Sequence, residues 1–226
     1  MQNEIQQFEY YFVAFIDLLG FSAMVKSDLE SISNGEKYIN KLYKIHQQTT
    51  KLNETGLQLQ LVQFSDSIVL ATKYDKQNFN DFLNKIGKYQ YDLFSEGILS
   101  RGGIAFGKHF YRDGFMFSLG LIEAYNIETS LARYPRIIIS NDLLDIVTTG
   151  TDILTELPII RENDGLCFVD YFRFSNAERI DTDREFITTN INSKNPSIRE
   201  KYIWLAEYLN FKHPTITPLT TRFKTV

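Results

Sequence analysis

The chain has 226 residues, of which 43% are hydrophobic and 23% are charged, and this balance predicts an ordinary hydrophobic core. Its formal net charge is −4 and it has no block rich in Lys and Arg, which excludes the basic surface typical of nucleic-acid binders. The single cysteine, Cys167, excludes an intramolecular disulfide bond, and the absence of a His/Cys cluster argues against a zinc site.

The N-terminal residues resemble neither a targeting signal nor a membrane span. Residues 1–9 are polar and lack the basic-then-apolar order of a signal peptide. The first apolar run, around Phe15, is interrupted by Asp17 and is far too short to cross a bilayer. Because a single cysteine also fits a reducing compartment, we expect a cytoplasmic protein.

The first predicted strand ends in an acidic residue. Residues 11–16 form a nearly continuous apolar run of strand-forming side chains, which is typical of a buried strand. Asp17 follows directly, and Gly20 permits a tight exit from the strand. A carboxylate at the end of a buried strand is unfavourable unless a cation or several hydrogen-bond donors compensate its charge.

A second acidic residue lies at the tip of a predicted hairpin. A helix over about 35–53, with an apolar face and with Gly56 at its end, separates this hairpin from the first strand. Residues 57–64 and 68–72 are predicted as two strands joined through Ser65-Asp66-Ser67. Two strand-end carboxylates that come together make a hard oxygen site for Mg²⁺ or Mn²⁺. Such sites most often handle phosphates, so the pair indicates nucleotide chemistry.

The next segment completes a β-α-β-β-α-β order. A helix from Asn78, a good N-cap, to Gly97, a good C-cap, precedes a glycine-bearing strand over 99–107. We therefore predict an α+β fold with a ferredoxin-like core, in which the first strand lies beside the hairpin. This arrangement brings Asp17 and Asp66 together at one end of the sheet.

The second half is less regular, and we interpret residues 1–226 as a single domain with a core over about 11–175. We find no linker, internal repeat or low-complexity segment that would divide it. The predicted elements are a helix over 118–131, a strand over 136–139, a short helix over 141–147, a strand over 166–174, and, within the C-terminal part over about 196–226, a helix over 196–209 and an extended tail with Pro214 and Pro218.

Motifs in this order resemble the class III nucleotidyl cyclases. They are VAFIDLLGF at 13–21, FSD at 64–66, RGGIAFG at 101–107, LIEAYNIE at 121–128 and YPRI at 134–137. The last two are similar to segments of the small stand-alone pyrimidine cyclases of Pycsar anti-phage defence. The resemblance covers roughly residues 11–175.

This resemblance implies an enzyme that converts UTP or CTP to the 3′,5′-cyclic monophosphate and pyrophosphate, as a second messenger in anti-phage defence. It implies that Asp17 and Asp66 hold two divalent ions, Mg²⁺ or Mn²⁺, with the Leu18 carbonyl as a further oxygen ligand. In such sites the ions lower the pKa of the ribose 3′-hydroxyl and neutralise the triphosphate, so no protein nucleophile is required. Because the family's sites form between two cyclase domains, a homodimer with composite sites is expected.

Departures from the purine cyclases favour a pyrimidine substrate. The asparagine and arginine that those enzymes use for the ribose and the transition state fall at Ile122 and Asn126. The purine-reading position is Val62, which offers no polar group to discriminate between bases. The region of the second specificity position, residues 115–117, is also apolar and bulky, which suits one ring better than two.

Two side chains are candidates for catalytic roles. Arg101 is predicted to reach phosphate or base, or else to form an ion pair with a surface acid. Asn126 is predicted to replace the missing arginine as a polar contact to ribose or phosphate, or else to face solvent.

Three further side chains are candidates for substrate binding. Gln60 and Gln63 flank Val62 and are able to pair with a base edge, that of uracil in particular, although alternation along the strand turns one of them away. Arg136 follows the helix over 118–131 and is an alternative phosphate donor, as is Arg133.

Other interpretations remain open. A catalytically inactive cyclase-like module that binds a nucleotide or a partner is supported by the missing asparagine and arginine and opposed by the two retained aspartates. Either aspartate alone is also explained as a turn-forming residue after a strand. A ferredoxin-like RNA-binding domain fits the element order, but the acidic charge and the lack of an aromatic Gly-Phe signature argue against it.

Overall fold

The computed structural model describes residues 7–30, 37–51, 57–149, 156–214 and 218–219. The chain divides into two compact units, Met1–Val169 and Asp170–Val226. The single domain predicted over 1–226 stays a prediction. Within the described ranges, no helix is long and apolar enough to cross a membrane.

The elements of the two units follow in chain order. The first unit contains β1 (Glu9–Leu18), α1 (Phe21–Glu30), α2 (Tyr38–Lys51), β2 (Gln60–Phe64), β3 (Ser67–Lys73), α3 (Phe79–Ser95), β4 (Ser100–Arg112), β5 (Phe115–Ser118), α4 (Leu119–Leu131), β6 (Ile137–Ile139), α5 (Asn141–Thr148), β7 (Ile159–Arg161) and β8 (Cys167–Val169). The second unit contains a 3-10 turn (Tyr171–Phe174), α6 (Ile180–Asn190) and α7 (Pro196–Lys212).

One mixed sheet forms the centre of the first unit. Its strand order is β2-β3-β1-β4-β6-β8-β7, and β5 pairs with β4. β1 lies antiparallel between β3 and β4, and β2 lies antiparallel to β3. This order of the first four strands, with helices in both crossovers, is that of the ferredoxin-like fold. The predicted α+β fold with a ferredoxin-like core is therefore confirmed, and β6 extends the sheet parallel to β4.

The alternation of side chains along β1 separates two layers. Phe12, Ala14 and Ile16 are buried in the main core together with apolar residues of α2 and α3. Phe15 points to the other face, where it packs with Ala124 of α4. Asp17 shares this α4 face because it stands two residues beyond Phe15 on the strand.

Helix α4 lies unusually close to β4 because glycines line the contact. A Cβ atom on Gly103 would stand 2.3 Å from the Ala124 carbonyl oxygen, and one on Gly107 would stand 2.6 Å from the Gly120 nitrogen. The helix begins where it is predicted, because the Ser118 hydroxyl caps it by accepting a hydrogen bond from the Leu121 N–H. The glycines and the cap together fix the height and start of α4 over the sheet.

Several elements differ from the prediction. The sequence does not indicate α1, none of whose side chains is buried, nor the short elements β5, β7 and α6. The strand predicted over 166–174 is β8 followed by a 3-10 turn. Helix α2 lies within the predicted 35–53, but both predicted ends and Gly56 fall outside the described residues, as does most of the predicted tail.

A buried carboxylate organises the second unit. The Tyr208 hydroxyl donates to Asp170 Oδ1 at 2.7 Å, and Lys212 Nζ donates to Asp170 Oδ2 at 2.5 Å. The same hydroxyl accepts a hydrogen bond from the Phe172 N–H at 3.2 Å. Burial raises the pKa of Tyr208 well above its ordinary value, so the hydroxyl remains a donor. These bonds hold α7 against the 3-10 turn.

Candidate active site

The structure places Asp17 and Asp66 at one end of the sheet. In the β1–β3 register Asp17 stands opposite Ser67, the residue that follows Asp66. The Leu18 N–H donates to the Asp66 carbonyl oxygen at 2.9 Å, which fixes the hairpin tip against the end of β1. Ser65 adopts a φ of 56°, the left-handed conformation that lets the chain reverse at this tip.

The charge on Asp17 is only partly compensated within the chain. Burial raises the pKa of Asp17 above its ordinary value, nearby Arg101 acts in the opposite direction, and the charge of Asp66 raises the pKa further. The net rise means that the fold, taken alone, disfavours the charged carboxylate. An added cation would favour that charged form.

Arg101 joins three parts of the site. It stands opposite Asp17 in the β1–β4 register, and its Nε donates to Asp17 Oδ2 at 3.3 Å. Its Nη1 donates to the Ala132 carbonyl oxygen at 3.2 Å, and its Nη2 lies 2.8 Å from Glu128 Oε1. Arg101 therefore forms ion pairs, as the alternative prediction states. Its acidic partners, however, are a candidate metal ligand, Asp17, and a buried glutamate, Glu128.

Glu128 is a site carboxylate that the sequence analysis does not single out. Its side chain is only 3% exposed, on the buried stripe of α4 that also contains Ala124. Burial raises the pKa of Glu128, against the opposing effect of Arg101, and the charges of Asp17 and Asp66 raise it further. The sequence signal that could have identified Glu128 is its spacing. It follows Ala124 by four residues, so it lies on the face of an amphipathic helix that is expected to be apolar.

The donors at this end of the sheet fit a hard divalent cation. Asp17 and Asp66 would supply carboxylate oxygens, and Leu18, whose N–H bonds to the Asp66 carbonyl, would supply a backbone carbonyl. In the part of the chain that the structure describes, no group of three or more His, Cys, Asp or Glu side chains is arranged to hold a metal ion. Mg²⁺ is commonly bound through one or two carboxylates, with water and substrate phosphates as the remaining ligands. The pair therefore matches an ion that binds together with a nucleotide.

The face of the sheet that carries Asp17 also carries Val62 and Gln60. Val62 stands opposite Val69 of β3, which in turn stands opposite Phe15 of β1. Gln60 is two residues from Val62 and therefore shares its face. Both side chains are half-buried, so this part of the face is accessible beside α4.

Gln63 points away from this face. It stands opposite Ile68, which is buried in the core on the side of α2 and α3. Its side chain lines a separate cavity of about 360 Å³ with residues of α1 and α2, such as Met24 and Tyr43. The structure thus separates the two glutamines that flank Val62, and only Gln60 shares a face with Asp17.

The other two predicted contacts lie in different surroundings. Asn126 is on the exposed side of α4, two residues before buried Glu128. Arg136 is 2% exposed; its Nη2 donates to Asp164 Oδ2 at 2.6 Å, and its Nη1 pairs with Glu162. Both terminal nitrogens of Arg136 are therefore engaged in internal ion pairs, and the structural role explains this residue without a phosphate.

No protein-family model matches the sequence, and no curated protein matches it significantly. Among solved structures, the chain is similar to the adenylyl cyclase CyaB from P. aeruginosa, with a TM-score of 0.45 and 14% identity over 73% of this chain and 95% of that one.

Two further solved structures are similar at the same level. A class III adenylyl cyclase-like ATP-binding protein from Pseudomonas aeruginosa gives a TM-score of 0.48 and 11% identity over 76% of this chain and 41% of that one. The catalytic core of a rhodopsin-guanylyl cyclase in complex with ATPαS gives 0.45 and 14% over 72% and 96%. At these scores and identities the similarities assign no activity to this chain.

Proposed function

We propose that this protein is a nucleotidyl cyclase that converts UTP or CTP to the 3′,5′-cyclic monophosphate and pyrophosphate. The observation that carries the proposal is the meeting of Asp17 and Asp66 at one end of the sheet, next to Arg101. Two carboxylates beside a guanidinium suit a nucleoside triphosphate that binds together with its metal ions. The order of the motifs, which resembles that of class III cyclases, selects cyclisation among the reactions of nucleotides.

Each side chain of the site then has a role that follows from its contacts. Asp17 and Asp66 would hold two Mg²⁺ or Mn²⁺ ions, with the Leu18 carbonyl as a further ligand. When bound, such ions lower the pKa of the ribose 3′-hydroxyl and neutralise the triphosphate. Arg101 orients Asp17 through the 3.3 Å hydrogen bond and, anchored by Glu128, keeps a positive charge beside the phosphate site.

A pyrimidine is the proposed base because the reading positions are apolar. Val62, on the accessible part of the sheet face, has no group to pair with a purine edge. On β5 the apolar side chain that shares the face of Ser118 and His109 is Met116, whereas Phe115 and Phe117 alternate to the opposite face. Discrimination between bases depends on polar groups that the wrong base leaves unpaired, and these positions provide none for a purine.

A homodimer is proposed because apolar side chains concentrate on one exposed surface. We define the α4 surface as Leu119, Ile122 and Tyr125, each of which is about half exposed. Soluble monomers rarely leave large contiguous apolar patches in water. A second copy bound there would cover these side chains and bring Asn126, on the same side of α4, to the partner's site.

The biological role that we propose is the synthesis of a second messenger in anti-phage defence. Its support is the resemblance of the segments 121–128 and 134–137 to the stand-alone pyrimidine cyclases of that system. Infection of cells that carry the gene and its neighbours, with measurement of cyclic pyrimidine nucleotides, tests this role. Protection from phage without any rise in cyclic nucleotide would contradict it.

A second candidate function, an inactive nucleotide-binding module, is favoured by one specific observation. Arg101 is already engaged with Asp17 and Glu128, and the position of the transition-state arginine is occupied by Asn126. Such a module would bind a nucleotide with its metal without releasing pyrophosphate.

The deciding experiment incubates the protein with each of the four ribonucleoside triphosphates and Mn²⁺ and identifies the products by mass spectrometry. We expect cyclic UMP or cyclic CMP, with at least about tenfold preference in kcat/KM over ATP and GTP. Asp17→Asn is the control that should abolish the product. Binding of a triphosphate without any cyclic product would favour the inactive module, and a preference for ATP or GTP would refute the pyrimidine assignment.

A further inference from the structure

His109 lies in the middle of a hydrogen-bond chain that ends on the candidate base-reading face. The imidazole is 1% exposed; its Nδ1 is 2.9 Å from Ser118 Oγ, and its Nε2 is 2.9 Å from Gln60 Oε1. The ring of Tyr11 packs against it, with centroids 4.7 Å apart. The imidazole is therefore held between the start of α4 and the side chain of Gln60.

The direction of this chain follows from the helix cap. The Ser118 hydroxyl oxygen accepts the Leu121 N–H at 3.0 Å, so its hydrogen remains for another acceptor. The unprotonated Nδ1 of His109 is the acceptor of this hydrogen. If Nδ1 carried a proton, the buried Ser118 hydroxyl hydrogen would have no acceptor. Burial lowers the pKa of His109, which favours the neutral ring. A neutral ring that accepts at Nδ1 carries its proton on Nε2 and donates it to Gln60 Oε1.

The hydrogen-bond chain fixes which end of the Gln60 amide remains available to a ligand. The amide oxygen is turned to His109, so the two N–H donors of the same amide are left for the accessible sheet face. Gln60 stands opposite Ala71, which stands opposite Val13, four residues along β1 from Asp17. Four residues along β1 and two strands across the sheet put Gln60 roughly 16 Å from Asp17 on one face, on the scale of a nucleoside triphosphate that extends from its phosphates to its base.

We propose that the Ser118–His109–Gln60 chain sets the base specificity, with Gln60 donating to the 4-carbonyl oxygen of uracil. This inference rests on the proposed cyclase function. Cytosine carries an amine at the same position, so its N–H groups would face the N–H groups of Gln60 and both would be left unpaired. The hydrogen-bond chain thereby selects UTP over CTP, although neither Ser118 nor His109 touches the base. Gln60 is the reading residue, and His109 is a positioning residue.

Binding of non-cyclisable substrates tests the proposal without turnover. Dissociation constants for 3′-deoxy-UTP and 3′-deoxy-CTP with Mn²⁺ are measured by calorimetry on the full chain, and we expect about tenfold tighter binding of the uridine compound. Gln60→Glu replaces the free donors by an acceptor and should reverse the preference. Gln47→Glu, the same change at an exposed position of α2, should leave the preference unchanged.

The protonation of His109 gives a second measurement that does not depend on nucleotide. Nitrogen-15 NMR of the imidazole distinguishes the two neutral tautomers, and we expect the proton on Nε2 at neutral pH. A proton on Nδ1, equal binding of the two analogues, or an unchanged preference in Gln60→Glu would each overturn the inference.

The outcomes also separate this inference from the proposed function. Cyclisation of UTP and CTP at equal efficiency would leave the pyrimidine cyclase standing and overturn only the reading by Gln60. Failure to bind either pyrimidine analogue, or tighter binding of 3′-deoxy-ATP, would remove the proposed function and this inference with it.

Discussion

Glu128 is a buried carboxylate whose charged form opposes folding. It is almost fully buried and its pKa is raised, so the fold favours its protonated form despite the nearby Arg101. Its Oε1 is 2.8 Å from the guanidinium, yet it accepts no aligned hydrogen bond from any described residue. Retention of a carboxylate under such conditions is typical of sites where function opposes stability.

We predict that Glu128→Gln stabilises the protein at pH 7 and lowers the proposed cyclase activity. The raised pKa means that the neutral side chain fits the fold better, while Arg101 keeps Asp17 as a partner and is not left uncompensated. The stabilisation should shrink as the pH falls through the raised pKa, because wild-type Glu128 then becomes neutral as well.

Chemical denaturation at pH 7 and at lower pH measures this effect. Glu123→Gln, at an exposed position of the same helix, is the matched control and should change neither stability nor activity. Equal stability of wild type and Glu128→Gln at both pH values would show that the burial of Glu128 has no energetic consequence.

We predict that Asp17→Asn and Asp66→Asn each lower kcat/KM by at least about 100-fold. The metal ions would contribute several kcal/mol to the transition state, and each 1.36 kcal/mol corresponds to a factor of ten. The melting temperature of Asp17→Asn should stay equal or rise, because burial and Asp66 disfavour its charge. Mn²⁺ binding, followed by electron paramagnetic resonance, should weaken in both variants; wild-type Mn²⁺ affinity in either would remove that residue from the metal site.

At the scale of elements, the close contact of α4 with β4 connects stability to the site. We predict that Gly103→Ala destabilises the protein by about 1–3 kcal/mol, because the new methyl group would overlap the Ala124 carbonyl oxygen. The displaced helix also carries Glu128, so activity should fall further than the loss of folded protein explains.

Denaturant titration and kcat on the folded fraction measure the two effects. Ser130→Ala, on the exposed side of α4, is the control and should change both by little. Unchanged stability of Gly103→Ala would contradict the proposed tight contact between helix and sheet.

For the molecule as a whole, we predict that a second copy covers the α4 surface. Ile122→Lys places a charge in the centre of the proposed contact, and it should convert the dimer to a monomer in sedimentation velocity. Ile146→Lys introduces the same charge at an exposed position of α5 and should leave the dimer intact. A wild-type protein that is monomeric and fully active would refute the composite site.

Complementation tests the shared site directly. Asp66→Ala and Asn126→Ala should each be inactive, and their mixture should recover up to about a quarter of wild-type activity. The reason is that half of the random dimers are mixed and contain one intact site of two. No recovery in mixed dimers would place Asn126 and Asp66 in the same chain's site, or Asn126 outside it.

Much of the fold was encoded in local patterns of the sequence. An apolar run that ends at Asp17, two helices with apolar faces, and a hairpin centred on Asp66 were sufficient to predict the ferredoxin-like core and the meeting of the two acids. Helix α1 escaped prediction because, with no buried side chain, it lacks the apolar stripe from which helices are recognised.

Only the tertiary structure decided which partners the polar side chains have. Register sends Gln60 and Gln63 to opposite faces of the sheet, although both flank Val62 in the sequence. Arg136 pairs with acids on the loop between β7 and β8, whereas Arg101 pairs with Asp17 and with Glu128. Hydrogen bonds and ion pairs act over a few ångströms between residues far apart along the chain. The sequence by itself therefore determined the elements of the ferredoxin-like core, whereas the packing of the elements decided which chemistry the polar residues can perform.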